Sequence, residues 1–189
     1  MKKEGKLFVL SGPSGVGKGT ILARLLADFD QVEYSVSATT RKPRQGEIDG
    51  RDYFFLSEEE FFRMVEKDQF IEWAKVHNNY YGTPRKYVDE TLKAGKDIIL
   101  EIDIQGAKQV KEDYPEAVFI FLAPPSLEEL ENRLERRGSE DEKNKEIRLR
   151  NAKGEMREIV NYDYKIVNEE IDETVEKLKA IIIAEKCRI

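Results

Sequence analysis

An α/β fold built on a parallel sheet is predicted by three observations. Short apolar runs alternate with longer amphipathic stretches, the runs are continuously apolar, and a glycine-rich loop joins the first run to a helical pattern. Continuous apolar runs suit strands buried on both faces. The predicted core strands are Lys6 to Ser11, Asp97 to Asp103, Ala117 to Ala123 and Tyr164 to Val167, each rich in Ile, Val, Leu or Phe. Helices are predicted over Lys18 to Asp28, Arg85 to Ala94, Leu127 to Arg137, Lys145 to Asn161 and Asp172 to Glu185. Around the last, Ile171, Val175, Leu178, Ile182 and Ile183 recur at helical spacing.

Two segments interrupt the alternation, so the expected core comprises residues 1–33, 87–125 and 151–189. Residues 34–86, rich in Tyr, Phe and Arg, are predicted to be a small α+β insertion; its helix, Ser57 to Glu66, is capped by Ser57 with Glu60 three residues later. Residues 126–150 are highly charged, with Gly138-Ser139 between two helical patterns, and are predicted to form a helical lid.

With 189 residues, 40% hydrophobic and 37% charged, the chain has the size and composition of one globular domain with small insertions. Its net charge of −6 argues against bulk attraction to nucleic acid or an anionic membrane, so neither is an expected partner and any phosphate site must be local. The longest apolar stretch, Ala117 to Ala123, is seven residues, against the roughly 20 that span a bilayer. A single cysteine, Cys187, excludes an intrachain disulfide, and the N-terminus has no signal-peptide core, so a cytoplasmic location is expected.

The strongest motif is Gly12-Pro13-Ser14-Gly15-Val16-Gly17-Lys18-Gly19-Thr20, set between a predicted strand and a predicted helix. A backbone that wraps a polyphosphate with its N–H groups needs residues without Cβ, and a helix start adds unpaired donors. Lys18 is placed to reach the outer phosphates and follow charge as a phosphoryl group moves. The spacing is that of a P-loop, which makes the core a three-layer P-loop NTPase fold and Gly12 to Thr20 the triphosphate-binding residues. Gly19 stands where the strict pattern has Ser or Thr, and Thr20 follows one residue late. Mg²⁺ is therefore expected to be held chiefly by phosphate oxygens and water, with Thr20 a candidate contributor.

A P-loop does not say what receives the phosphate. In the insertion, Arg41, Arg44 and Tyr53 cluster around Pro and Gly turn residues. Guanidinium forks with a phenol hydroxyl can make a phosphate clamp, although alone such a cluster is more often a solvated loop. With Ser11 to Thr20, Ser35 to Arg41, the spaced Arg44, Glu47, Gly50 and Tyr53, Phe70 to Ala74, Asn79 to Thr83 and Ile102 to Gly106, the sequence closely resembles the guanylate kinase family over nearly the whole chain. That resemblance implies transfer of the ATP γ-phosphate to GMP, with Mg²⁺. It also implies that Arg41, Arg44, Tyr53 and Tyr81 bind the GMP phosphate, while Ser37, Glu72 and Thr83 line a guanine pocket. The chemistry agrees, because a carboxylate at Glu72 can accept from both N1–H and the 2-amino group of guanine, a donor pair that adenine lacks. Residues 34–86 become the GMP-binding insertion, and Arg137 and Arg148 become lid arginines that act with Lys18 and Arg41 in catalysis.

Glu101 and Asp103 are predicted on the same side of a strand end, suited to Mg²⁺ waters and bound nucleotide. Glu101, where the family pattern has Asp, joins Thr20 as a candidate metal contributor through water, and Asp103 is assigned to GMP. Asn168 resembles the family position near the adenine of ATP. His77 and Cys187 are read as structural or surface residues. Two rivals are a catalytically inactive guanylate-kinase-like protein-binding module and a related sugar-bisphosphate kinase. The complete phosphate loop and clamp speak against the first, and Glu72 with Ser37 against the second.

Overall fold

The structure, a computed structural model, describes residues 4–76, 78–136 and 152–188. In chain order the elements are β1 (Leu7–Ser11), α1 (Lys18–Asp28), β2 (Glu33–Tyr34), β3 (Ala38–Thr39), β4 (Phe54–Phe55), α2 (Glu58–Glu66), β5 (Phe70–Val76), β6 (Asn79–Pro84) and α3 (Arg85–Lys93). They continue with β7 (Ile98–Glu101), α4 (Ile104–Asp113), β8 (Val118–Ala123), α5 (Leu127–Arg136), a 3-10 turn (Met156–Asn161), β9 (Tyr164–Val167) and α6 (Ile171–Lys186). The chain divides into two compact units. One comprises residues up to Leu7, Gln31–Leu100 and Gln105–Ala117; the other comprises Phe8–Asp30, Glu101–Ile104 and the chain from Val118 onward.

The second unit holds the glycine-rich loop. Its strands run in the order β1-β8-β9, parallel throughout, with Phe8 opposite Val118 and Ile120 opposite Tyr164. Every residue of β8 is buried, as its unbroken apolar run requires. α1 buries Ile21, Leu22 and Leu25, and of the stripe read in α6 Val175, Leu178 and Ile182 are buried while Ile171 and Ile183 are exposed. Each buried side chain contributes about 1.5–3 kcal/mol by leaving water. Arg24 ties the two helices by donating to Asp172 at 3.2 Å.

The first unit contains the sheet β4-β3-β6-β5 and a parallel β2/β7 pair. β3 is parallel to β4 but antiparallel to β6, which in turn is antiparallel to β5. One face carries an aromatic cluster in which Phe61 stacks on Phe70 at 4.6 Å and Trp73 and Tyr80 pack alongside. Phe61 is delivered by α2, whose capping box has Glu60 N–H donating to Ser57 Oγ and Ser57 N–H donating to Glu60 Oε2.

α1 spans the predicted residues, and so does β9, while the helix predicted at residues 57–66 begins at Glu58 with Ser57 as its cap. The strand predicted through Asp103 ends at Glu101. Asp103 therefore lies beyond the strand, immediately before α4, and strand alternation does not place it beside Glu101. α4 was not anticipated: its buried face is only Ile104, Ala107 and Val110, interrupted by Gln105-Gly106 and followed by charged residues. Of the helix predicted over residues 145–161, the described part from Ala152 tightens into the 3-10 turn at Met156. Among the described residues no helix is long and apolar enough to cross a membrane.

Candidate active site

The phosphate loop is shaped by the junction of β1 and α1. At Gly12 an added Cβ would lie 2.2 Å from the Leu122 carbonyl oxygen, so no side chain fits where the loop leaves the strand. Gly17 occupies the N-cap of α1 at φ 102°, a left-handed conformation that favours glycine, and supplies no capping side chain. The first turn of α1 has no acidic residue, so its N–H groups and the positive end of the helix dipole suit an anion. Lys18 curls over the loop and donates from Nζ to the Gly12 carbonyl at 2.7 Å and the Pro13 carbonyl at 3.4 Å. Val16 N–H donates to Pro13 O at 3.2 Å, closing the turn that carries Ser14 and Gly15. Gly19 and Thr20 are exposed at the helix start. A Cβ at Gly19 would stand 3.5 Å from Glu101 Oε2, which puts that carboxylate beside the first turn of α1.

Asn168, also predicted to bind ATP, is buried at the end of β9, where its Nδ2 donates to the Val16 carbonyl oxygen at 2.8 Å. Asp103 belongs to the same unit as the loop.

The first unit gathers the remaining described candidates into two neighbouring groups. The register Ala38 to Gly82 to Trp73 crosses β3, β6 and β5. Ser37, Thr83 and Glu72 flank that line, and all three are buried. Thr83 Oγ1 donates to Glu72 Oε1 at 2.7 Å. Gln109 of α4 fixes the adjacent peptide group, accepting from Trp73 N–H at 3.2 Å and donating to Trp73 O at 2.8 Å. A Cβ on Gly106 would lie 2.3 Å from Glu72 Oε2, so the missing side chain makes room for the carboxylate. A buried acid held this way is chemically suited to a planar pair of N–H donors.

In the second group, Arg41 leaves the end of β3, where its N–H donates to Thr39 Oγ1 at 3.2 Å. Its guanidinium makes a two-pronged contact with Glu47, at 2.9 and 2.8 Å, and lies over the rings of Tyr53 and Phe55 at 5.4 and 5.8 Å. Tyr53 meets Tyr81 edge to face at 6.1 Å. Glu47 also accepts from Arg44 N–H at 2.7 Å, which folds the loop so that Arg44 follows Arg41. The hydrogen bonds from Arg41 raise its own proton affinity and hold the Glu47 carboxyl below the usual carboxylate range, so the pair is fully charged at neutral pH.

Arg137 and Arg148 lie outside the described residues, as does His77; Cys187 is exposed. Sequence reasoning assigned no part to Glu47, Gly106, Gln109 or Thr174. Glu47, three residues after Arg44 in the same turn-rich stretch, and Gly106, at the end of the Ile102 to Gly106 block, carried a signal that could have flagged them. Gln109 acts across 36 positions, and Thr174, six residues from Asn168, stands in no motif.

A glycine-rich loop between strand and helix, a buried acid and an Arg-Tyr cluster coexist in one chain, and comparison with known proteins shows what it is similar to. The family model described as guanylate kinase matches residues 4–185. The guanylate kinase of Caldanaerobacter subterraneus subsp. tengcongensis is 54% identical over 100% of this chain and 92% of its own length. That of Desulfitobacterium hafniense is also 54% identical, over 100% and 94%. The crystal structure of guanylate kinase from Anaplasma phagocytophilum superimposes with a TM-score of 0.83 at 39% identity, covering 99% of this chain and 89% of that one. A sugar kinase from Janibacter sp. HTCC2649, at 17% identity and a TM-score of 0.51 over 92% of each chain, shares the fold alone. With a family model spanning almost every residue and relatives at 54% identity over full length, this chain belongs to the guanylate kinase family.

Proposed function

We propose that the chain transfers the γ-phosphate of ATP to GMP, giving ADP and GDP. The observation that carries this reading is the buried Glu72 carboxylate, held by Thr83 and given room by Gly106. Bound guanine donates its N1–H and 2-amino hydrogens to that acid, and Ser37 and Thr83 complete the recognition. Arg41, Arg44, Tyr53 and Tyr81 hold the GMP phosphate, while Gly12 to Thr20 wrap the triphosphate. An oxygen of the GMP phosphate attacks the γ-phosphorus in line, and the bond to the β–γ bridging oxygen breaks, leaving ADP. Lys18 exchanges its loop carbonyls for phosphate oxygens and follows the migrating charge. Arg137 and Arg148 supply further positive charge from the lid.

Among the described residues no three His, Cys, Asp or Glu side chains converge into a metal cage. A single carboxylate, Glu101, beside the first turn of α1 fits a Mg²⁺ ion carried chiefly by phosphate oxygens and water, with Thr20 contributing in the same way. When bound, Mg²⁺ neutralises charge on the triphosphate.

The test compares ADP release with GMP and with IMP, which lacks the 2-amino group, in the natural chain and in Glu72→Gln. The natural chain should prefer GMP strongly, and Glu72→Gln should reduce that preference by about tenfold or more. Equal use of GMP and IMP by the natural chain would overturn the assignment of Glu72.

A further inference from the structure

We propose that Asn168 is a positioning residue for the phosphate loop, locked by Thr174. It rests on the reading of Gly12 to Thr20 as the triphosphate loop. The Asn168 amide is tied into the protein on both sides. Nδ2 donates to the Val16 carbonyl oxygen at 2.8 Å, and Oδ1 accepts from Thr174 Oγ1 at 3.1 Å. A carbonyl oxygen only accepts, so Val16 O takes the NH₂ end of the amide, and the Thr174 hydroxyl, free to donate or accept, holds the Oδ1 end. Both residues are fixed in turn. Asn168 N–H donates to Ala123 O at 2.8 Å, and Thr174 N–H donates to Glu170 O at 3.0 Å. Thr174 is 0% exposed and Asn168 5%.

The peptide that Asn168 grips is the one joining Val16 to Gly17. In a planar trans peptide the C=O and N–H point in opposite directions, so holding Val16 O fixes the direction of the Gly17 N–H at the mouth of the loop. Gly17 is the left-handed N-cap of α1, and a Cβ on it would approach Asn168 Nδ2 to 2.8 Å. The glycine thus serves the turn and the brace together. A residue 152 positions away orients the donors of the phosphate cradle.

Two isosteric variants test this. Asn168→Asp replaces the donor facing Val16 O with an acceptor, and Thr174→Val removes the hydroxyl that holds Oδ1 of the amide. Binding of ATP, GTP and inorganic tripolyphosphate, which has no base, is measured for each, with GMP affinity as the control for folding. Tripolyphosphate affinity should fall roughly tenfold in each variant, and ATP and GTP affinity with it, while GMP affinity is unchanged. Unchanged tripolyphosphate binding in both variants would overturn the brace. Failure of the natural chain to bind tripolyphosphate would overturn the loop reading itself. Should a variant lose GMP binding, the natural chain decides by NMR. Tripolyphosphate should shift the Asn168 side-chain amide signal; a signal left in place contradicts the brace.

Discussion

Lys18 is held by the loop it serves, its Nζ 2.7 Å from the Gly12 carbonyl oxygen. In the proposed reaction Lys18→Ala removes a charge aimed at transferring phosphate, from a partly exposed position. We expect kcat to fall about 10²- to 10³-fold with the melting temperature within a few degrees of the parent, as read by initial rates and thermal denaturation. Gly106 makes the opposite kind of prediction. A methyl group there would meet Glu72 Oε2 at 2.3 Å, and on the helical backbone of α4 it cannot turn aside. Gly106→Ala should raise the KM for GMP roughly tenfold while leaving the KM for ATP unchanged. An equal rise in both would show that the carboxylate is not what the substitution displaces.

Among the elements, those with a complete local signal were the most legible. α2 had Ser57 and Glu60 three apart before an apolar pattern, and the box forms as read. Ser57→Ala should cost about 1 kcal/mol of stability, measured by urea unfolding, because the Glu60 N–H at the helix start loses its Ser57 Oγ acceptor. α1 was bounded by its glycine loop, and β9 by polar neighbours. The two-residue strands β2, β3 and β4 are too short for alternation to register, and α4 has too narrow a buried face. The site divides in the same way. The phosphate loop is a contiguous run, so spacing alone exposes it. Glu72, Thr83 and Ser37 become a group only through the register of β3, β6 and β5. The environment of Glu72 depends further on Gly106, from a helix that sequence patterning did not reveal. Local reasoning reads local chemistry; pairing across strands and helices must be seen.

For the whole molecule, each unit holds a half-buried tyrosine whose ionisation opposes folding. Tyr114, which donates to Asp89 at 2.7 Å, and Tyr162, packed against Phe119 and Phe121, are both pushed by burial up to about 12. A tyrosine in the unfolded chain titrates near 10. The folded state therefore holds the proton more tightly, and this contribution is complete below pH ~10 and is lost as pH rises toward about 12. Stability measured by urea unfolding should drop across that interval, and less steeply in Tyr162→Phe; parallel profiles for the two proteins would contradict the burial argument. The proposed activity needs both the triphosphate loop and the guanine-reading acid. Its most direct test is competition in a single tube, with ATP, Mg²⁺ and equal amounts of GMP, AMP, CMP and UMP, and the diphosphates separated afterwards. GDP should be the dominant new diphosphate and ADP should form in equal measure. Absence of GDP, or conversion of CMP or UMP at a comparable rate, would contradict it.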